Sequence, residues 1–342
     1  MTKADKRLAI QAAMRAAFPQ AEARVARFYQ MQEYHLGWRD PQLQSTESDP
    51  GKLIRPQLVL LACQAAGGDP AQAMPLAAGI QLLHDFTLIH DDIEDDSATR
   101  RGRPTLWSLW GLAQGINAGD GMFVLAHLAI HQLDAIGVPA ERTLHVLRRF
   151  DEVILYVCEG QFLDISFEGD LTISADDYLA MIERKTAALI AGSCELGALV
   201  AGASPANLAA LAEFGLSVGL AFQIEDDLLG IWGAPEVTGK PPAADLYRRK
   251  VSLPVVHALA HSPARARLAE LYASDPDEAA VREILAALDA AEARAFCAEV
   301  AARHHQAAFA AIDRVTTDGN PQAEAARATL RALAESLIGR QS

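Results

Sequence analysis

Two short acidic runs carry the strongest chemical signal in this 342-residue sequence. Leu88-Ile-His-Asp-Asp-Ile-Glu-Asp-Asp-Ser97 gathers Asp91, Asp92, Asp95 and Asp96 behind an apolar stretch. Asp91 and Asp95 stand four apart, on one face of a helix, where like charges repel. A hard divalent cation offsets that repulsion, and magnesium is commonly held by one or two carboxylates plus substrate phosphates. Taken alone, such a run reads equally well as a solvated acidic helix end. The second run, Phe222-Gln-Ile-Glu-Asp-Asp-Leu-Leu-Gly230, sets Glu225, Asp226 and Asp227 inside a hydrophobic stretch. Charged residues are rarely buried without partners. Two such runs, far apart in sequence, could face each other across a helical core, which is how bundles build metal sites.

Basic residues flank both runs. Lys52 and Arg55 lie in Gly51-Lys52-Leu53-Ile54-Arg55-Pro56, Arg100 and Arg101 precede Gly102, and Lys185-Thr186 interrupts an apolar helix. Lys240 follows Gly239, and Lys250 closes Arg248-Arg249-Lys250. Arginine suits bidentate phosphate contacts and lysine supplies a point charge. Each of these alone reads as a surface cation; Lys185 stands out because apolar residues surround it. Carboxylates together with cations point to diphosphate chemistry through bridging magnesium. The sequence has no P-loop motif, so a P-loop nucleotidase is not expected. His84 and His90 beside the aspartates do not make a zinc site, since no His or Cys set has suitable spacing. Trp107, Trp110 and Trp232 read as packing residues.

The elements that must position these groups read as helices almost throughout. Alanine, leucine, glutamate and arginine dominate. Apolar residues recur at three- and four-residue spacing, as at Leu179, Ile182, Ala187 and Ile190. No run alternates as a strand would. Breaks fall at 40–51, 67–75, 137–140, 167–174, 202–207, 233–244, 274–278 and 317–321, and Ser174 before Asp176 and Asp177 signals a helix start. With no linker and no repeat, the expectation is one helical domain over 1–342. Its motifs cover about 50–255 and a more variable, alanine-rich helical part covers about 260–342.

Hydrophobic residues make up 51% of the chain and the net charge is -14, which supports a large core and argues against nucleic-acid binding. Cys63, Cys158, Cys194 and Cys297 are far apart, as expected of reduced, buried thiols in a cytoplasmic protein. The N-terminus has no signal-like apolar core. The apolar stretch 187–203 contains Glu195 and reads as a buried helix, so no membrane span is expected.

In their order these motifs resemble the polyprenyl synthetase family, whose members make linear isoprenyl diphosphates. The resemblance runs through Gly51-Lys52-x-x-Arg55-Pro56, His84, Asp91-Asp92-x-x-Asp95, Arg100-Arg101-Gly102, Gly119-Asp120 and Gly160-Gln161-x-x-Asp164. It continues through Lys185-Thr186, Gly219-x-Ala221-Phe222-Gln223-x-x-Asp226-Asp227, Gly239-Lys240, Asp245 and Lys250-x-x-Leu253-Pro254. It implies an all-α fold: antiparallel helices of the isoprenoid synthase type around a deep central cavity. It implies a homodimer and three Mg²⁺ ions, held by Asp91, Asp95 and Asp226 with Asp92 and Asp227 in support. Arg100, Lys185, Gln223 and Lys240 would hold an allylic diphosphate, and Lys52, Arg55, His84 and Arg101 would hold isopentenyl diphosphate, with Lys250 a further phosphate contact. Thr186 and Gln223 would stabilise an allylic cation.

The chain departs from the family pattern at three places. The second acidic run ends in Gly230 where the family has aspartate, Pro50 precedes Gly51-Lys52, and Gln81 stands where glutamate is usual. Gly230 raises two other readings: a non-catalytic or regulatory subunit of a heteromeric synthase, and a class I terpene synthase. The second loses ground because Gly230 and Ala234 stand where that class has Ser and Glu. Phe86, five residues before Asp91, is either ordinary core or an aromatic floor that stops the growing tail. The floor implies a geranylgeranyl-type product.

Overall fold

The computed structural model describes residues 3–48, 51–234, 243–273 and 276–338. It is all-helical apart from a two-stranded hairpin, Thr99–Arg100 with Arg103–Pro104. The chain divides into two compact units, Met1–Arg148 with Leu196–Ala203, and Arg149–Glu195 with Ser204–Ser342.

In the first unit the central helix is Met74–Glu94. It buries Leu76, Ile80, Leu82, Leu83 and Ile89 almost completely. Each fully buried aliphatic side chain contributes roughly 1.5–3 kcal/mol. Gly79 lets helix Leu112–Ala135 come close. A Cβ on Gly79 would stand 2.6 Å from Ile130 Cγ1 and 2.8 Å from the Ala126 carbonyl oxygen. Helix Ile54–Ala65 meets the end of helix Ala188–Ala201 in the same manner, because a Cβ on Gly197 would lie 2.3 Å from the Val59 carbonyl oxygen.

In the second unit the apolar helix Pro205–Trp232 runs along helix Ala293–Asp313. Ser204 starts the former: its Oγ accepts from the Asn207 amide at 3.2 Å, and Pro205 takes the first helical position. Pro205–Trp232 is the one described helix long and apolar enough to cross a membrane. Its most apolar window is 61% buried inside the protein and it carries buried acids, as a core helix does. Helix Ala175–Ile182 begins with the expected signal, Ser174 and Asp177 exchanging hydrogen bonds in a capping box.

Several local features differ from the sequence reading. Lys185 lies not in a regular α-helix but in a π-helical turn, Glu183–Ala187. The part after 260 is integral to the second unit, since helix Ala293–Asp313 packs on the acid-bearing helix. The thiols of Cys63, Cys194 and Cys297 are buried, but Cys158 is exposed, which corrects the expectation that all four are buried. No disulfide joins the described cysteines, and burial pushes the Cys194 thiol up to about 12.

Gly197→Ala should cost about 1–3 kcal/mol of stability, because the methyl group meets rigid backbone rather than a movable side chain. Chemical denaturation of the variant, read as a shift in midpoint at constant slope, measures this.

Candidate active site

In the first unit the acidic run closes the Met74–Glu94 helix. Ser97 N donates to the Asp92 carbonyl at 2.9 Å and Asp96 N to that of Ile93 at 3.2 Å, with Asp96 at φ 49. This is a Schellman ending with aspartate in the left-handed position. Asp96 is thus spent on the turn. Asp92, 2% exposed, accepts from Arg100 Nε at 2.6 Å. Burial raises its pKa, and Arg100 only partly counters this. Asp91 is half-buried and Asp95 exposed. The helix carries no basic residue in its last turn, so its negative dipole end adds to their attraction for a cation.

The hairpin explains Arg100-Arg101-Gly102. Its two loop residues, Arg101 and Gly102, have φ of 52 and 73, as a tight two-residue hairpin requires. The turn sends Arg100 back onto Asp92 and leaves Arg101 exposed. Gly51 lies beside the Arg101 guanidinium, 3.8 Å from where its Cβ would be, which brings the loop of Lys52 to Arg101. Gln57 Nε2 holds that loop by donating to the Lys52 carbonyl at 2.6 Å.

Behind them Arg55 Nη1 lies 3.2 Å from His84 Nε2. Burial lowers the Arg55 pKa to about 10. Burial, then Arg55, Arg101 and Arg100, push His84 well below the usual histidine range. His84 is therefore neutral and accepts from Arg55 at Nε2. A cavity of about 390 Å³, lined among others by His35, Gly51, Asp92, Arg100, Arg101 and Arg103, has the charge to take a diphosphate. A larger one, about 610 Å³, beside Arg24, Phe28 and Trp110, contains none of the predicted residues.

Sequence reasoning missed the support beneath. Gln81 Nε2 donates to Asp85 Oδ2 at 2.9 Å, and His35 Nε2 lies 3.5 Å from Asp85 Oδ1. A glutamate at 81 would set a second negative charge against the buried Asp85, so the amide at this departure from the family pattern is explained. Phe86 is half-buried and meets His90 at 4.8 Å and Phe123 at 5.3 Å, while Phe123 meets His127 at 4.7 Å. It belongs to an aromatic cluster, not to the closed core. His90 fits against the helix only because residue 119 is glycine, where a Cβ would stand 2.2 Å from its Nε2.

In the second unit the three consecutive acids diverge. Glu225, 3% exposed, pairs with His305 Nε2 at 2.7 Å. Asp227, fully buried, accepts from Tyr178 Oη at 2.5 Å and from Gln223 Nε2 at 3.1 Å, with Lys250 Nζ at 3.5 Å. Burial raises the Asp227 pKa, against Lys250, Tyr178 and Gln223. Asp226 between them is exposed. Among the described residues neither Asp95 nor Asp226 forms an ion pair.

The π turn joins this network. Thr186 Oγ1 donates to Gln223 Oε1 at 2.9 Å, and Lys185 Nζ donates to Asp164. Gly160 and Gly219 let neighbouring helices reach the turn: their Cβ atoms would lie 2.1 Å from Lys185 N and 2.6 Å from Ala187 Cα. Burial opposes the charge of Lys250, but Asp227, Asp245, Asp226 and Asp164 outweigh it and raise its pKa. Lys240 lies outside the described residues. Tyr178 and His305 were missed because aromatic and histidine positions in helices carry no motif.

Among the described residues no group of three or more His, Cys, Asp or Glu side chains is gathered as a ready-made metal site. The donor set nevertheless fits magnesium. Asp91 and Asp95 in the first unit, and Asp226 in the second, each offer hard oxygen ligands of the kind magnesium takes together with phosphate and water.

A helical fold, paired carboxylates and neighbouring cations define a diphosphate-handling enzyme. Residues 38–288 match the family described as "Polyprenyl synthetase". The chain is 41% identical to a (2E,6E)-farnesyl diphosphate synthase of Mycobacterium tuberculosis, covering 90% of this chain and 85% of that one. It is 47% identical to a geranylgeranyl diphosphate synthase of the same organism, over 71% of this chain and 68% of that one. A crystal structure of a polyprenyl synthetase from Streptomyces coelicolor A3(2) superposes with a TM-score of 0.88 at 34% identity, covering 97% of each chain. The chain belongs to the polyprenyl synthetase family. It is a prenyltransferase.

The neutral His84 gives a pH signature. Below about pH 6.5 the unfolded imidazole takes up a proton that the folded one refuses, so stability falls as pH drops from there toward the lowered folded pKa. His84→Gln keeps an acceptor for Arg55 and should remove about 1.4 kcal/mol per pH unit of that fall. Denaturation midpoints of both proteins between pH 7 and 5 (on the order of two units) measure the difference.

Proposed function

We propose that this enzyme condenses isopentenyl diphosphate head to tail with an allylic diphosphate, using three Mg²⁺ ions, to give a geranylgeranyl-type product. The observation that carries this is the division of labour within each aspartate pair. Asp92 and Asp227 are buried and answered by Arg100 and by Tyr178, Gln223 and Lys250, whereas Asp95 and Asp226 remain exposed for a cation. Magnesium held by Asp91, Asp95 and Asp226 would neutralise the departing diphosphate.

The chain's own groups do the rest. Arg100, Lys185 and Lys250 supply positive charge to the allylic diphosphate as its C–O bond breaks, and Lys240 belongs with them by family resemblance. Lys52, Arg55 and Arg101 grip the second diphosphate, with neutral His84 adding a hydrogen bond rather than a charge. The Thr186 hydroxyl and the Gln223 amide turn dipoles toward the allylic cation. The double bond of isopentenyl diphosphate attacks that cation, and the proton lost afterwards goes to the released diphosphate.

The cluster of Phe86, Phe123 and His127 supports a steric floor for a C20 tail. Resemblance to synthases of farnesyl and of geranylgeranyl diphosphate supports a short-chain product. A cytoplasmic homodimer completes the reading. Its support is an exposed apolar stripe, Leu112, Ile116, Val124 and Leu128, on helix Leu112–Ala135.

Incubation with Mg²⁺, isopentenyl diphosphate and C5, C10 or C15 allylic diphosphates, followed by mass spectrometry, should give a C20 diphosphate. A protein that makes nothing alone but activates a related synthase would be a regulatory subunit. A hydrocarbon made without isopentenyl diphosphate would mark a terpene synthase. Asp91→Ala should lower turnover by about a hundredfold or more, and unchanged turnover would refute the metal assignment. Phe86→Ala should lengthen the product; an unaltered chain length would place the floor elsewhere.

A further inference from the structure

Helix Ala26–His35 ends at the cavity of about 390 Å³, and its last residue carries an imidazole that belongs to no motif. The end of this helix is clamped onto the arginine hairpin. Tyr34 Oη donates to the Pro104 carbonyl at 2.7 Å, and the Arg103 guanidinium lies 4.2 Å over the Tyr34 ring. Arg103 Nη2 donates in turn to the Arg39 carbonyl at 2.8 Å. Arg103 is therefore engaged by the protein, and the clamp sets His35 in the cavity wall with Gly51 and Arg101.

The two ring nitrogens of His35 have different surroundings. Nε2 lies 3.5 Å from Asp85 Oδ1, while Gln81 donates to the other oxygen of that carboxylate. Asp85 is only 4% exposed, so Nε2 is turned inward and the ring is fixed. Nδ1 has no hydrogen-bond partner among the described residues, yet it is not sealed in the interior as His257 Nδ1 and His305 Nδ1 are. The accessible nitrogen of this cavity-lining ring is thus Nδ1. After burial and the arginines, the charge of His35 also bears on His84 and Asp92, which places it within electrostatic reach of both.

We propose that His35 is a further ligand for the diphosphate of isopentenyl diphosphate, oriented by Asp85. This rests on the synthase reading above and adds to it a residue from a segment outside the motifs. The carboxylate at Nε2 and a diphosphate oxygen at Nδ1 each need an N–H, and an imidazolium carries both. Its charge also suits the carboxyl end of a helix. The ligand is the second diphosphate because the cavity is shared with Gly51 and Arg101, whereas Arg100 is drawn onto Asp92.

The test combines steady-state kinetics of the full-length protein with calorimetry of isopentenyl diphosphate binding. His35→Gln keeps an amide N–H where Nε2 stood, so Asp85 retains a donor and the denaturation midpoint stays close to wild type. It sends no donor toward the ligand, so KM and Kd for isopentenyl diphosphate should rise about tenfold, the scale of one hydrogen bond to a charged group. The KM of the allylic diphosphate should not change. His35→Asn, whose amide stands near Nδ1, should lose stability but bind isopentenyl diphosphate more tightly than His35→Gln, which a merely structural role would not produce. Unchanged affinity for isopentenyl diphosphate in both variants, or an equal weakening of the allylic diphosphate, overturns the proposal. Wild-type protein that makes no prenyl product refutes the synthase reading instead.

Discussion

A carboxylate set into an apolar helix must be met by a donor or a cation, and both aspartate-bearing turns are organised by that demand. In the first unit Arg100 meets Asp92. In the second, Tyr178, Gln223 and Lys250 meet Asp227, and His305 meets Glu225. Beside these anchored acids, Asp95 and Asp226 remain exposed. Each pair thus holds one anchored acid and one available acid, and the anchored one fixes the rotation of the helix that presents the other.

The same logic orders the cations. Arg55 and His84 share a hydrogen bond in which only one partner is charged, so the pair adds a single positive charge to a crowded neighbourhood. Lys185 lies on Asp164, so its ammonium is answered within the second unit. Glycines at 119, 160 and 219 serve this arrangement, since each admits a neighbouring element closer than any side chain would allow.

Helix content, most breaks and the identity of the acidic runs were legible in the sequence, because period, turn residues and charge are local properties. The capping box at Ser174 and Asp177 was read from spacing alone, and the structure contains it. What stayed hidden depends on contacts between distant segments. Nothing near Asp227 announces Tyr178, and nothing near Glu225 announces His305. The π turn was hidden because its residues fit an α-helix equally well; what selects it is the packing of Gly160 against it. Cys158 misled for the opposite reason: cysteine is usually buried, and this one is not.

The π turn between Ala175–Ile182 and Ala188–Ala201 has a further consequence. The wide turn absorbs one residue that a continuous α-helix would spread over about 100° of rotation, so the sequence phase shifts across it. The two halves of this helical run therefore keep separate apolar phases, and no single wheel describes both. Each face can drift in evolution to suit its own neighbours. Losing one residue between 183 and 187 would turn this wide turn into an ordinary α-helical one while the downstream half keeps its facing.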